Sequence, residues 1–160
     1  MGAQPPRCRG VAVTDSGHED GATDRDGPSP ARAMFAADAA AAMLGIELVD
    51  VTPGCATVRM TVRDDMLNGF GTTHGGVLFL LADSAFSLAC NSHGPPTVAA
   101  AASIDFLAPA HEGDVLIAKA VEQSRRDRTG LYDVAVTRHE ADGVSVDTVA
   151  RFRGRSHTLA

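Results

Sequence analysis

Cysteine is scarce in this chain: Cys8, Cys55 and Cys90 are all there is, with no CxxC pair and no regular spacing. That excludes a cysteine-built zinc module, argues against a disulfide framework and suits a reducing cytoplasm. The six histidines include no pair at a helical metal-ligand spacing, so no metal is expected. No run approaches 18 uncharged apolar residues, so no membrane span is expected, and the N-terminus lacks the apolar core of a signal peptide. A soluble cytoplasmic protein is the expectation. Lysine is almost missing too: Lys119 is the only one, so nearly all of the 14 basic residues are arginine. With a formal charge of −6 and a pI near 5.4, a broad basic footprint for nucleic acid is excluded. Arginine remains well suited to local phosphate contacts.

What is present is ordinary for a globular domain: 44% apolar and 21% charged residues. Residues 1–30 carry five glycines, four prolines and mixed charge without apolar periodicity. They read as a disordered leader. An alanine-rich stretch over 31–44 reads as one helix closed by Gly45. The period then changes to two. IELVDV, Pro53-Gly54 and CATVRMTV read as a hairpin, with Val58, Met60 and Val62 on one face. A glycine-rich loop over 69–76 leads into a helix from about Gly75 to Ser92, stopped by Gly94-Pro95-Pro96. Four strands follow, over 97–107, 114–125, 129–139 and 143–154, with turns at 109–113, 126–128 and 141–143. The long helix is apolar nearly all round, so it is expected to be central. Helix, two strands, long helix and four strands describe an α+β hot-dog fold, an antiparallel sheet wrapped around one central helix.

One carboxylate, Asp83, stands inside that apolar helix. A buried acid must be hydrogen-bonded, paired or functional; Asp83 either faces solvent or an interface, or does chemistry. Its i+4 neighbour Ser87 could hold a water molecule beside it or simply satisfy it. At the helix start stands Thr72-Thr73-His74-Gly75-Gly76. The first N–H groups of a helix lack internal partners and sit at its positive end, and glycine admits close approach. Gly75 N–H is therefore a candidate donor to a carbonyl gaining negative charge, against the plainer reading of a turn and cap. The loop is not a phosphate-binding P-loop, since no Lys-Ser or Lys-Thr follows. Along one helix Gly75 and Asp83 lie roughly 12 Å and about 80° apart. If they cooperate, they come from two chains related by a twofold axis.

Several motifs together resemble the phenylacetate-degradation branch of the hot-dog acyl-CoA thioesterases. They are Met66-Leu67-Asn68-Gly69, His74-Gly75-Gly76, the segment from Leu81 to Phe86, Ala89-Cys90-Asn91-Ser92, the segment from Ser103 to Leu107, the segment from Thr129 to Asp133, and the segment from Phe152 to His157. The similarity runs in order over residues 31–157 and leaves the leader outside. It implies a single hot-dog domain, homodimers paired into a homotetramer, and hydrolysis of acyl-CoA thioesters, typically aryl-acetyl ones. No cofactor is implied, since CoA is part of the substrate, and neither nucleic acid nor membrane is a partner. Carried over by position, Asp83 is the catalytic carboxylate, acting as base or nucleophile, and Gly75 the oxyanion donor. His74 precedes that glycine, and Asn68 is a loop side chain that helps hold the reacting group. Ser87 stands where a related branch has a water-orienting hydroxyl. A serine that some relatives use on the following strand falls here within Ala99–Ala102. Arg125, Arg126 and Arg128 at a turn, and Arg153 and Arg155 in the alternating Arg151-Arg153-Arg155 run, are candidates for the CoA phosphates; solvated edge arginines are the bland alternative. Cys90 reads as a core residue. The competing functions are a non-catalytic acyl-CoA sensor and a hot-dog enoyl-CoA hydratase that would use His74.

Overall fold

The computed structural model describes Cys8 and residues 29–139 and 146–160; the rest of the expected leader and the expected turn at 141–143 lie outside the described residues. The alanine-rich stretch is two helices, not one. Helix α1 (Pro30–Ala36) starts on Ser29, whose hydroxyl accepts the Arg32 N–H, and α2 (Ala39–Leu44) starts on Asp38. The Asp38 carboxylate accepts the Ala40 and Ala41 N–H groups, both at 3.0 Å. A carboxylate able to cap two N–H groups favours a new helix start over continuation, and Gly45 ends α2 at φ 66° as its position suggests.

Strands β1 (Glu47–Thr52) and β2 (Cys55–Thr61) form the expected hairpin. Val58, Met60 and Val62 are buried while Arg59 and Thr61 are exposed. After α3 (Gly75–Asn91) come β3 (Thr97–Phe106), β4 (Val115–Arg126), β5 (Thr129–His139) and β6 (Val146–Thr158). All neighbours pair antiparallel in the order β1-β2-β4-β5-β6-β3, and the sheet packs around α3. Leu81, Ala85, Phe86 and Leu88 of α3 share the core with Leu116, Val134 and Phe152. The Phe86 ring lies 5.4 Å from Tyr132 and 5.8 Å from Phe152, centroid to centroid.

The last strand runs on to Thr158 instead of ending at Gly154. Gly154 is not a terminator but a space for the helix: a Cβ there would lie 2.8 Å from two atoms of the Phe86 ring and 3.0 Å from Phe152. Gly154→Ala is therefore expected to lower stability by roughly 1–3 kcal/mol through overpacking, read by denaturant unfolding.

The expectation of no disulfide is overturned. Cys8 is bonded to Cys55, with Cα atoms 5.7 Å apart, and Cys90 is free and buried. Spacing could not show this, because Cys8 belongs to a stretch without periodic signal while Cys55 opens β2. Denatured, unreduced protein is expected to titrate as one thiol, rising to three after reduction.

Candidate active site

The loop between the short 3-10 turn Asp64–Met66 and α3 is held by one side chain. Asn68 Oδ1 accepts the Phe70 N–H at 2.9 Å and the Thr72 N–H at 3.3 Å, and Nδ2 donates to Thr72 Oγ1 at 2.9 Å. Its backbone N–H donates to Thr72 O at 2.8 Å, and Gly71 supplies the positive φ of 74° that the tight loop requires. Thr73 then donates through both N–H and hydroxyl to Ala110 O, at 2.8 and 3.0 Å. Asn68 thus holds the loop, with its carbonyl oxygen fully engaged there.

His74 is the N-cap of α3: its Nδ1 accepts the Gly76 N–H at 3.0 Å, and its carbonyl takes the Val77 and Leu78 N–H groups. One donor of the first turn is left over. Gly75 N–H has no acceptor among the described residues, at the positive end of a 17-residue helix. It borders a cavity of about 420 Å³ whose lining includes Asn68, Thr73, Leu78, Phe106 and Pro109. An unpaired N–H in an open cavity is the arrangement that polarises a carbonyl oxygen.

Asp83 is half-buried rather than enclosed. Gly76, Asp83 and Ser87 lie on the side of α3 that turns away from the core, while Leu78, Leu81, Ala82, Ala85 and Phe86 turn inward. The carboxylate has no hydrogen-bond partner among the described residues. Burial, and then the charge of Asp38, hold its pKa above the ordinary 3.8. The Ser87 hydroxyl, one turn on, is likewise unpartnered among the described residues. Neither residue lines the cavity at Gly75. Asn68, His74 and Gly75 are therefore gathered at one place, Asp83 and Ser87 at another. Cys90 is no nucleophile: burial, and then the Asp83 charge, push its thiol up to about 12.

A model of the thioesterase superfamily matches residues 70–144. Acyl-coenzyme A thioesterase PaaI of Escherichia coli K12 is 46% identical over 129 residues, 81% of this chain and 89% of that protein. The chain belongs to the thioesterase superfamily. It is a thioester hydrolase of the hot-dog fold, in the company of PaaI. The solved structure of E. coli PaaI superposes with a TM-score of 0.76 at 45% identity, covering 81% of this chain and 91% of that one. A Streptococcus mutans protein solved with acetyl CoA gives 0.65 at 27% identity, over 72% of this chain and 89% of its own. Human acyl-coenzyme A thioesterase 13 is 34% identical over 77 residues, 47% of this chain and 55% of that protein.

The thioesterase's arginines do not converge on the Gly75 cavity. Arg153 forms a two-pronged pair with Asp133, at 2.7 and 3.0 Å, on the outer face of the sheet. Arg128 donates to Thr158 O at 2.9 Å. Strand register sets Arg125 on the face of Tyr132 and Ser156, and Arg126 on the opposite face with His157. Arg155 is exposed beside Leu131. Two groupings escaped sequence reasoning. The first is a clamp at the far end of α3, where Glu122 Oε2 lies 2.7 Å from both His93 Nε2 and the Tyr132 hydroxyl. The second is the place of Phe106 beside Gly75, which strand pairing creates and no local motif announces.

Proposed function

We propose that this thioesterase hydrolyses acyl-CoA, with phenylacetyl-CoA or a hydroxylated phenylacetyl-CoA as substrate, releasing the free acid and CoA. The observation that carries the reading is the unpaired Gly75 N–H on an open cavity. Similarity to PaaI, and a structural neighbour solved with acetyl CoA, support the acyl-CoA class. The thioester carbonyl accepts a hydrogen bond from Gly75 N–H, while Asn68 and His74 keep the loop and helix start in place. Asp83 then either takes a proton from water as it adds to the carbonyl carbon or attacks that carbon itself, forming an anhydride that water opens. In both routes the C–S bond breaks and CoA leaves as thiolate, so no strong general acid is required. Heavy oxygen found in the Asp83 carboxylate after a single turnover in heavy-oxygen water identifies an anhydride that water opens at the Asp83 carbonyl; opening at the acyl carbon, like the base route, puts the label in the released acid alone. Ser87 positions the water, and Arg125, Arg126, Arg128 and Arg155 are the phosphate contacts, with Arg153 reaching CoA from its pair with Asp133. No resident cofactor is needed.

The separation of Gly75 from Asp83 along α3 makes the site a shared one: each centre takes its N–H from one subunit and its carboxylate from another. Strand β3 ends the sheet and is exposed over most of its length, an edge that a twofold-related copy can cover. Dimers then pair into a tetramer. The cytoplasm is the working compartment, and the Cys8–Cys55 bond has to withstand its thiol pool there.

The test is CoA release from phenylacetyl, hydroxyphenylacetyl, benzoyl, short-chain and medium-chain CoA. Fastest release from the aryl-acetyl members is the expected result. No release from any, or release unchanged in Asp83→Asn, would remove the catalytic reading.

A further inference from the structure

Phe106 is the last residue of β3, paired through its backbone with Ala150. A large aromatic ring there would ordinarily be buried, yet Phe106 is 55% exposed. The ring forms part of one wall of the cavity at the helix start. A Cβ placed on Gly75 would stand 3.0 Å from the ring's Cζ and 3.4 and 3.5 Å from its two Cε atoms. The ring tip therefore rests directly on the residue that carries the unpaired N–H.

The backbone on both sides of the ring is fixed. Leu107 and Ala108 donate their N–H groups to Val149 O, at 2.9 and 3.4 Å, and Ala110 O takes both donors of Thr73. Beyond Phe106 the wall continues as Leu107, Ala108, Pro109 and Ala110, faced by Leu78 of α3. The polar members, Asn68, Thr72 and Thr73, all belong to the loop side. The cavity is thus two-sided: an apolar wall carrying one aromatic face, and a polar loop leading to the N–H. About 420 Å³ is ample, since a site of roughly 150 Å³ already takes a benzene ring.

We infer that Phe106 is the specificity-determining residue for the acyl group, offering its ring to a planar aromatic acyl chain whose carbonyl is held at Gly75 N–H. The inference rests on the thioesterase reading of that site. A carbonyl oxygen that reaches the N–H brings its substituent alongside the ring, where an aryl group gains an offset or edge-to-face contact that an alkyl chain of similar size does not. Such a contact corresponds to roughly two- to tenfold in kcat/KM. The same closeness makes Gly75 part of the selection. An alanine at 75 keeps the N–H but presses the ring aside, because the ring tip is free to move where the backbone is not.

The experiment compares phenylacetyl-CoA with hexanoyl-CoA, in turnover and in equilibrium binding, for the wild-type protein, Phe106→Ala, Phe106→Leu, Gly75→Ala and Gly75→Ala/Phe106→Ala. Phe106→Ala is expected to lower kcat/KM for phenylacetyl-CoA roughly two- to tenfold more than for hexanoyl-CoA, with Phe106→Leu between. Its circular dichroism should match wild type, because Phe106 stands outside the buried core. Gly75→Ala should lose less phenylacetyl selectivity in the Phe106→Ala background than alone. An equal loss for both substrates would overturn the inference and leave thioester hydrolysis standing. If no thioester is cleaved by wild-type protein, the reading beneath it falls, and the binding ratio still decides whether Phe106 selects aromatic acyl groups. Equal binding ratios in wild type and Phe106→Ala would then sink it.

Discussion

Asp83→Asn is expected to abolish turnover, by roughly 10²- to 10⁴-fold or more, in a protein that stays folded. The substitution keeps size and shape and removes only the ability to take a proton or attack a carbonyl. Stability should not fall. The carboxyl is held above its ordinary value of 3.8 first by burial and then by Asp38, so its charge already disfavours the folded state. The linkage has a definite sign. Between the ordinary value and the raised one, the folded chain binds more protons than the unfolded chain, so this group's contribution to stability is lost as pH rises through that window. Activity should run the other way, because the proposed role of Asp83 as base or nucleophile needs the ionised carboxylate. A plot of kcat/KM against pH should rise through an inflection above the ordinary aspartate range. Melting of the wild type should lose stability over the same interval, and Asp83→Asn should lose less of it.

Gly75→Pro is expected to cost about 10²- to 10³-fold in turnover, the effect of deleting one oxyanion donor. Few positions let a backbone N–H be deleted so cleanly. Gly75 is the first residue of α3, where proline is well tolerated. His74 before it is already extended, at φ −61° and ψ 133°, as a residue preceding proline must be. The His74 cap on Gly76 N–H does not involve the deleted hydrogen. The neighbour that must yield is the exposed tip of Phe106. Circular dichroism and unfolding should therefore stay close to wild type while CoA release collapses. A variant that kept full turnover would remove Gly75 N–H from the mechanism.

The strands and the long helix were legible because alternation and apolar runs are local signals. Their limits were less so. The break between α1 and α2 hides in an alanine tract with no polarity contrast, where only the capping carboxylate of Asp38 marks it. Gly154 suggested an end to β6 when it is the gap that Phe86 fills, a demand made by a residue 68 positions away in the chain. The Cys8–Cys55 bond is of the same kind. At the site, Asp83 and Gly75 stood out by chemistry: an acid on an apolar helix, and a glycine at a helix start. Phe106 did not, because nothing within β3 says that its ring will rest on Gly75. The Asn68 loop lies between the two cases. Its position was readable, but its work, three side-chain bonds that close the turn, was not.

The central claim is that Gly75 of one subunit and Asp83 of another make one catalytic centre. Mixing tests it directly. Asp83→Ala and Gly75→Pro proteins, each inactive alone, are unfolded together, refolded, and checked by mass spectrometry for mixed dimers. Random pairing makes half of the dimers mixed, each with one intact centre, so about a quarter of wild-type activity should return. If mixed dimers form and CoA release stays at the level of either parent, the centre is not shared between chains.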